Sequence, residues 1–373
     1  MKRILFVHRS LVCGGIETAL LDLCSLLDKE KYDVTILEYI GWGNVLKPQF
    51  LHAGIRVINP YDKFVPGKNI VHKAYNFLSL RYIAHQTLKK NKIYINEAFD
   101  VIVYFQITPL RVKCKSNPKI ISYVHGDIST NEAYCRGVMR QKEFIKNSKR
   151  IVCVSNMAKK SLADIAGISQ NTVTVFNPIN SKRIRSLSDA EIPERFSRPY
   201  ICAVGRLSPE KRFDGLVRIH KNLLDRGINH DLVIVGDGDE RKRIETVIQE
   251  TETADSVHLL GFKENPYPYI KNSLFTVCSS DTEGLPVVSM ESLLLGKPVV
   301  SSFPTVAELF GDEKCGLITD ISLESLEDGI YMMLSDHTYY RNCIEAAKAR
   351  SSFFESEQMV KRVEQMLDDV LSL

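Results

Sequence analysis

What is missing narrows the field first. Nowhere in the 373 residues is there an apolar run of about 18 residues, so no transmembrane helix is expected. The opening Lys2-Arg3, followed by Ile4-Leu5-Phe6-Val7, is too short an apolar run for a signal peptide and reads as a first buried strand. Nine cysteines, an odd count, are scattered without CxxC spacing. Cys153, Cys202 and Cys278 fall inside apolar strand-like runs. That pattern predicts reduced core thiols in a cytoplasmic protein, not disulfides or metal ligands. No internal repeat and no low-complexity tract is visible. No recognisable nucleic-acid module or aromatic-basic platform is present either, so no nucleic-acid partner is expected.

What is present is ordinary in bulk, with 44% hydrophobic and 25% charged residues, as in a globular protein. A chain of 373 residues is too long for one ordinary core and fits two domains of about 180 residues each. The net charge of +4 hides an asymmetry: residues 1–180 hold 26 Lys and Arg against 13 Asp and Glu, and the remaining 193 hold 23 against 32. A first half at +13 and a second at −9 imply that the first domain faces something anionic. An anionic membrane surface is the expected partner. Residues 69–92 can form an amphipathic helix with Phe77, Leu78, Tyr82, Ile83 and Leu88 on one side. Lys73, Arg81, Lys89, Lys90 and Lys92 add charge suited to anionic head groups. The other fate of such a face is packing on the domain's own sheet.

Strands and helices alternate, which implies parallel sheets with right-handed crossovers. In the first half Arg3–His8, Val34–Leu37, Val101–Phe105, Lys119–Val124, Ile151–Val154 and Val173–Phe176 read as strands. In the second half the strands are Tyr200–Val204, Leu232–Val235, Val257–Leu260, Leu274–Cys278, Val299–Ser301 and Gly316–Thr319. The stretch from Asn180 to Pro199 is polar and aperiodic after the strand-stopping Asn177-Pro178, and reads as a linker. The expected organisation is a first domain over 1–180, a linker over 181–199, a second domain over 200–350, and a closing helix over 351–373.

Residues 279–298 are the most informative stretch. A buried-looking strand runs into an acidic loop, and the loop into an apolar helix, with Pro286 where a first-turn proline is preferred. Amides around Gly284, Leu285 and Val287, with the positive end of the helix dipole, make a phosphate seat. Glu283 stands at that seat and Glu291 lies eight residues on. At ~1.5 Å rise per residue the two carboxylates are on the order of 10 Å apart, about the span from a sugar to the ribose of a nucleotide-sugar folded across its diphosphate. Alone, such a pair reads more readily as a solvated acidic loop and one polar helix position. A second segment, Gly205-Arg206-Leu207-Ser208-Pro209-Glu210-Lys211-Arg212, places Arg206 and Lys211 in a strand-to-helix loop, where α/β folds hold ligands. A guanidinium fork and an ammonium suit a diphosphate. Gly14-Gly15 follows the first strand and opens a helix, so its backbone can approach a ligand. It is no dinucleotide fingerprint, because Thr18 stands where a third glycine is needed.

Gly205–Arg212, the Glu283/Glu291 pair and Gly14-Gly15-Ile16-Glu17 together resemble a retaining glycosyltransferase of family 4, of the bacterial polysaccharide type, nearly end to end. The resemblance implies an α/β GT-B fold: two Rossmann-like parallel-sheet domains facing each other across a cleft, the first binding acceptor and the second a nucleotide-sugar, with the closing helix returning to the first. It implies transfer of a hexose or N-acetylhexosamine, from UDP-sugar by expectation, to a lipid-linked or oligosaccharide acceptor with anomeric configuration kept. Neither a cofactor nor an essential metal is implied. It carries His125 over as a residue close to the transferred sugar, although this chain reads His125-Gly126-Asp127 where many members read His-Asp. Arg206, Lys211 and Glu283 join His125 as catalytic. Gly14, Gly15, Phe262, Gly284, Leu285, Val287 and Glu291 are implied donor contacts, and Glu17 an acceptor contact. Asp237-Gly238-Asp239 spells a metal-binding DxD but sits after a strand, where a tight turn and helix cap explain it better. Two other classes stay open: a GT-B nucleotide-sugar epimerase, and a non-catalytic nucleotide-sugar-binding protein.

Overall fold

The computed structural model describes residues 1–12, 14–40, 45–59 and 91–373. By its internal contacts the chain divides into Met1–Asn177 with Val360–Leu373, and Pro178–Met359. The first unit contains β1 (Lys2–His8), β2 (Tyr32–Glu38), β3 (Arg56–Ile58), β4 (Lys92–Tyr94), β5 (Val101–Tyr104), β6 (Arg111–Lys113), β7 (Lys119–Val124), β8 (Arg150–Cys153) and β9 (Thr172–Thr174). Seven of them form one sheet in the order β3-β2-β1-β5-β7-β8-β9, every pair parallel. The six strands expected here are all present. The three unexpected ones, β3, β4 and β6, are three residues each and carry Arg56, Lys92, Arg111 and Lys113, so they show no apolar run. The helix expected over 69–92 lies outside the described residues but for Asn91 and Lys92, and Lys92 opens β4.

The second unit contains β10 (Tyr200–Val204), β11 (Asp231–Val235), β12 (Val257–Leu259), β13 (Thr276–Cys278), β14 (Val299–Ser301) and β15 (Gly316–Ile318). They form one parallel sheet in the order β12-β11-β10-β13-β14-β15. In both units the winding reverses beside the first strand: between β1 and β5 in one, and between β10 and β13 in the other. Parallel strands covered by helices on both faces must be apolar throughout. Ile4, Leu5, Phe6 and Val7 are all buried, as are Leu232, Val233, Ile234 and Val235.

Of residues 181–199, expected as an irregular linker, the first eight form a helix and the rest are irregular. Asn180 caps a helix over Ser181–Ser188, its side chain accepting from the Arg183 N–H, and Ile184 is buried. Periodicity over eight residues with two apolar positions was too faint a signal. The helix is clasped from the side: Ser181 Oγ donates to Glu355 Oε2 at 2.8 Å, and Ser181 N–H to Ser356 Oγ at 2.7 Å. These bonds join the start and the end of the second unit's chain segment. The closing helix spans Ser356–Ser372. Val363, Met366, Leu367 and Val370 are buried at helical spacing, and within the first unit Tyr32 Oη donates to Asp368 Oδ1 at 2.5 Å and Lys119 Nζ to the Leu371 carbonyl at 2.9 Å. Among the described residues no helix is long and apolar enough to cross a membrane, and the eight described cysteines are free.

A buried histidine chain makes the second unit acid-sensitive. His230 Nδ1 lies 3.0 Å from the Ile228 carbonyl, His220 Nδ1 lies 3.0 Å from His230 Nε2, and His220 Nε2 lies 2.9 Å from Ser256 Oγ. With one proton per ring every contact can be satisfied in a single direction, so burial is compatible with both rings being neutral. Burial first, then the neighbouring His230, pushes the His220 pKa down to about 3, and burial lowers that of His230. The unfolded chain binds these protons near pH ~6.5, so this stability is complete above that pH and is lost as pH falls toward the folded values. Urea unfolding followed from pH 7 to pH 4.5 should therefore show falling stability. His220→Gln should be less stable at pH 7 yet have a flatter slope, by up to ~1.4 kcal/mol per pH unit. A uniform offset at all pH values would contradict the assignment.

Candidate active site

The reversal between β10 and β13 opens a crevice at the carboxyl ends of these strands, where open α/β sheets bind ligands. Two loops rim it. Gly205–Arg212 leaves β10 and returns through a short turn, Pro209–Lys211, into the helix Phe213–Asp225. Residues 279–286 leave β13 for the helix Val287–Leu294. Ser279 Oγ donates to the Lys211 carbonyl at 2.6 Å, and the Asp281 N–H to the Glu210 carbonyl at 3.0 Å, so the loops are joined directly. Arg212 is left-handed, at φ 50°, a conformation that costs a residue with a side chain roughly 1–2 kcal/mol. Its guanidinium offsets that cost with bonds to the Ser279 carbonyl (2.7 Å), the Ile321 carbonyl (2.5 Å) and Ser302 Oγ (2.9 Å). Arg212 thus pins the loops after three strands. The sequence marked it only as the end of a motif; a basic residue ending a turn gives no hint of a positive φ.

Inside this frame Lys211 Nζ donates to Glu283 Oε1, which also accepts from Ser280 Oγ at 2.7 Å. Both side chains are mostly covered, 23% and 15% exposed. Burial disfavours the ammonium, but the Glu283 charge and hydrogen bond outweigh it, and the Lys211 pKa rises. Beneath the pair, burial pushes the Cys278 thiol up, so it stays protonated. The Gly284, Leu285 and Val287 N–H groups find no acceptor among the described residues. Pro286 is the residue before the helix, at φ −64°, not within its first turn as expected. Glu291, in the second turn, is buried and accepts from Tyr267 Oη at 3.2 Å.

Arg206 is exposed on the same loop, and among the described residues its side chain forms no bond to the Lys211–Glu283 pair. Phe262 follows β12 and is 57% exposed. Its loop borders that of β11 through the Gly236 N–H, which donates to the Gly261 carbonyl at 2.9 Å. In Asp237-Gly238-Asp239, Asp237 Oδ1 accepts from the Gly238 N–H at 2.8 Å and lies 3.8 Å from Arg241 Nη1. That is a turn ahead of the helix Arg241–Glu250. Two glycines let these loops meet. A side chain on Gly236, at φ +151°, would put Cβ 1.8 Å from the Gly205 carbonyl oxygen, and one on Gly238 would put it 2.4 Å from that of Leu207.

The remaining candidates lie in the first unit, at the carboxyl ends of β1 and β7. Gly14 caps the helix Gly15–Leu26 in an extended conformation, φ −170°, that any residue can adopt, so its backbone angles alone do not demand glycine. Glu17, buried, lies with Oε1 2.9 Å from Nε2 of the fully buried His8. His125 ends β7 against Phe105, ring centres 4.5 Å apart, with Asn177 Nδ2 3.4 Å from its Nδ1. Burial first, then the neighbouring His8, pushes the His125 pKa down to about 3, so near pH 7 it is a neutral hydrogen-bonding group. Among the described residues His8 Nδ1, His125 Nε2 and Asn177 Oδ1 are buried without hydrogen-bond partners. His8 was missed because it reads as the last residue of an apolar strand. Asp127 accepts from both the N–H and Oγ of Ser129, at 2.8 and 2.6 Å, which is turn chemistry.

The family model for glycosyl transferases group 1 matches residues 186–350, and that for glycosyltransferase family 4 matches residues 13–183. Over 192 residues the chain is 30% identical to the N-acetylgalactosamine-N,N'-diacetylbacillosaminyl-diphospho-undecaprenol 4-alpha-N-acetylgalactosaminyltransferase of Campylobacter jejuni, covering 50% of this chain and 51% of that one. The match thus spans about half the length of that relative. Over 359 residues it is 25% identical to the O-antigen biosynthesis glycosyltransferase WbnH of Escherichia coli, covering 95% and 96%. Among solved structures, Anabaena Alr3699/HepE in complex with UDP superposes with a TM-score of 0.73 at 17% identity, over 99% of this chain and 100% of that one. That likeness shows the fold.

Gly236→Ala should force the β10 and β11 loops apart, costing at least the ~1–3 kcal/mol of an overpacked site, and weaken any ligand held by the Lys211 loop. Gly137→Ala is the control: among the described residues its Cβ would meet nothing nearer than 3.9 Å, and helical alanine is favoured by roughly 0.5–1 kcal/mol. Urea unfolding of both variants checks this; equal stabilities would contradict the loop packing described.

Proposed function

We propose, from the premise that this chain belongs to glycosyltransferase family 4 and has the GT-B fold, that it moves a hexose or N-acetylhexosamine from a UDP-sugar to a lipid-linked or oligosaccharide acceptor in cell-surface polysaccharide synthesis. The observation that carries the reading is the Lys211–Glu283 pair beside the Gly284, Leu285 and Val287 amides at the point where the winding of the second unit reverses. The structural neighbour in complex with UDP, the Campylobacter jejuni relative named for transfer to a diphospho-undecaprenol-linked sugar and the relative named for O-antigen biosynthesis support the choice of donor and product.

Bond breaking at the anomeric carbon sends an electron pair to the departing diphosphate. Lys211, Arg206 and the loop amides stabilise that negative charge where it develops. These groups supply the charge for which other enzymes use a divalent ion, so no essential metal is proposed. Glu283 accepts from the sugar hydroxyls and Glu291 from the ribose, with unpaired-group penalties enforcing specificity. Phe262 borders the nucleobase, and Gly14 and Gly15 bring backbone to the diphosphate. His125, neutral, hydrogen-bonds the transferred sugar. Glu17, held by His8, lies on the acceptor side. The acceptor oxygen bonds to the anomeric carbon on the face the diphosphate leaves, and its proton passes to the leaving phosphate oxygen. Configuration is therefore retained without a covalent enzyme intermediate. The basic excess of residues 1–180 suits an anionic membrane surface bearing a lipid-linked acceptor, reached from the cytoplasmic side.

Steady-state kinetics with UDP-sugars test this directly. Lys211→Ala should lose on the order of 10²–10³-fold in kcat, the scale for removing one donor from a developing anion, whereas Asp239→Ala should be nearly silent. Equal kinetics for the two variants, or conversion of donor without transfer to any acceptor, would overturn the assignment.

A further inference from the structure

We propose that Tyr267 is a positioning residue that sets specificity for the sugar of the nucleotide, its phenol holding the Glu291 carboxylate in the orientation that accepts from ribose hydroxyls. The inference rests on the reading of Glu291 given above and adds the element that makes that residue selective. Glu291 and Tyr267 are 6% and 3% exposed, and Tyr267 Oη lies 3.2 Å from Glu291 Oε1. An ionised carboxylate only accepts, so the phenol must be the donor. A glutamate side chain has three rotatable bonds, and fixing it costs rotamer entropy. The phenol contributes to fixing it before a nucleotide arrives.

A brace of this kind works only if the tyrosine is itself immobile, and the structure supplies the reason that it is. Tyr267 opens a short helix, Tyr267–Asn272, with four consecutive buried residues. From the sheet side, Tyr200 Oη on β10 donates to the Tyr269 carbonyl at 2.8 Å. From behind, the segment that the sequence presents as a linker grips the same helix. Asn265 Nδ2 donates to the Leu187 carbonyl at 2.8 Å. Glu194 accepts from Tyr269 Oη and Lys263 Nζ, each at 2.5 Å, and Lys271 pairs with Asp189. Arg183 places its guanidinium carbon 5.7 Å from the centre of the Tyr267 ring. Residues 183–194 are thus a backstop for the ribose end of the site. A tyrosine serving only as filling could be phenylalanine, without burying a hydroxyl against a charge.

Titration calorimetry with UDP and 2'-deoxy-UDP tests the inference on the full chain, with thermal unfolding as the check on folding. The wild type should bind UDP about tenfold more tightly, which is ~1.4 kcal/mol. Glu291→Gln should bring the ratio close to one. Tyr267→Phe should cut it to about threefold, leaving 2'-deoxy-UDP affinity, thermal midpoint and kcat as in the wild type while raising the donor KM. A Tyr267→Phe protein that keeps the full ratio, or that weakens both nucleotides equally, overturns the role of Tyr267 alone. A Glu291→Gln protein that keeps the ratio overturns the ribose reading of Glu291. Failure of the wild type to bind UDP overturns the UDP-sugar reading itself.

Discussion

A carboxylate beside a lysine ammonium offsets the cost of covering it with protein, and two loops of the second unit are held around such a pair. Lys211 and Glu283 come from loops that follow different strands, 72 residues apart in sequence. They meet because β10 and β13 are neighbours at the reversal of winding. Ser279, Asp281 and Arg212 hold the two loops in register. Removing one partner of such a pair leaves an uncompensated charge, which is strongly destabilising. The ion pair therefore preserves the loop geometry around the Lys211 ammonium.

The same economy recurs around the pair. Gly236 and Gly238 remove side chains where two strand-end loops must touch. Arg212 accepts an unfavourable backbone conformation and returns three hydrogen bonds to its neighbours. Cys278 fills space beneath the charges as an unreactive thiol. In the first unit a neutral His125 is kept neutral by burial among aromatic rings.

Much of this was legible in the sequence. Long, doubly covered strands such as Lys119–Val124 and Tyr200–Val204 appear at the expected residues, because burial on both faces writes a continuous apolar run. The Lys211 and Glu283 loops were legible because each follows such a strand and opens a helix. What escaped were features whose cause lies far along the chain. Arg212 owes its conformation to Ile321, 109 residues on, and His8 owes its role to Glu17 and Phe105. The helix Ser181–Ser188 is held by Glu355 and Ser356 more than by its own weak periodicity. The strands β3, β4 and β6 are too short to carry a pattern of their own.

Hydrogen exchange with and without a UDP-sugar tests the central claim most directly, because it reports on backbone amides that the donor's diphosphate would occupy. The account predicts added protection in the peptides covering residues 205–212 and 284–291. Protection elsewhere in the second unit, with those two segments unchanged, would contradict it.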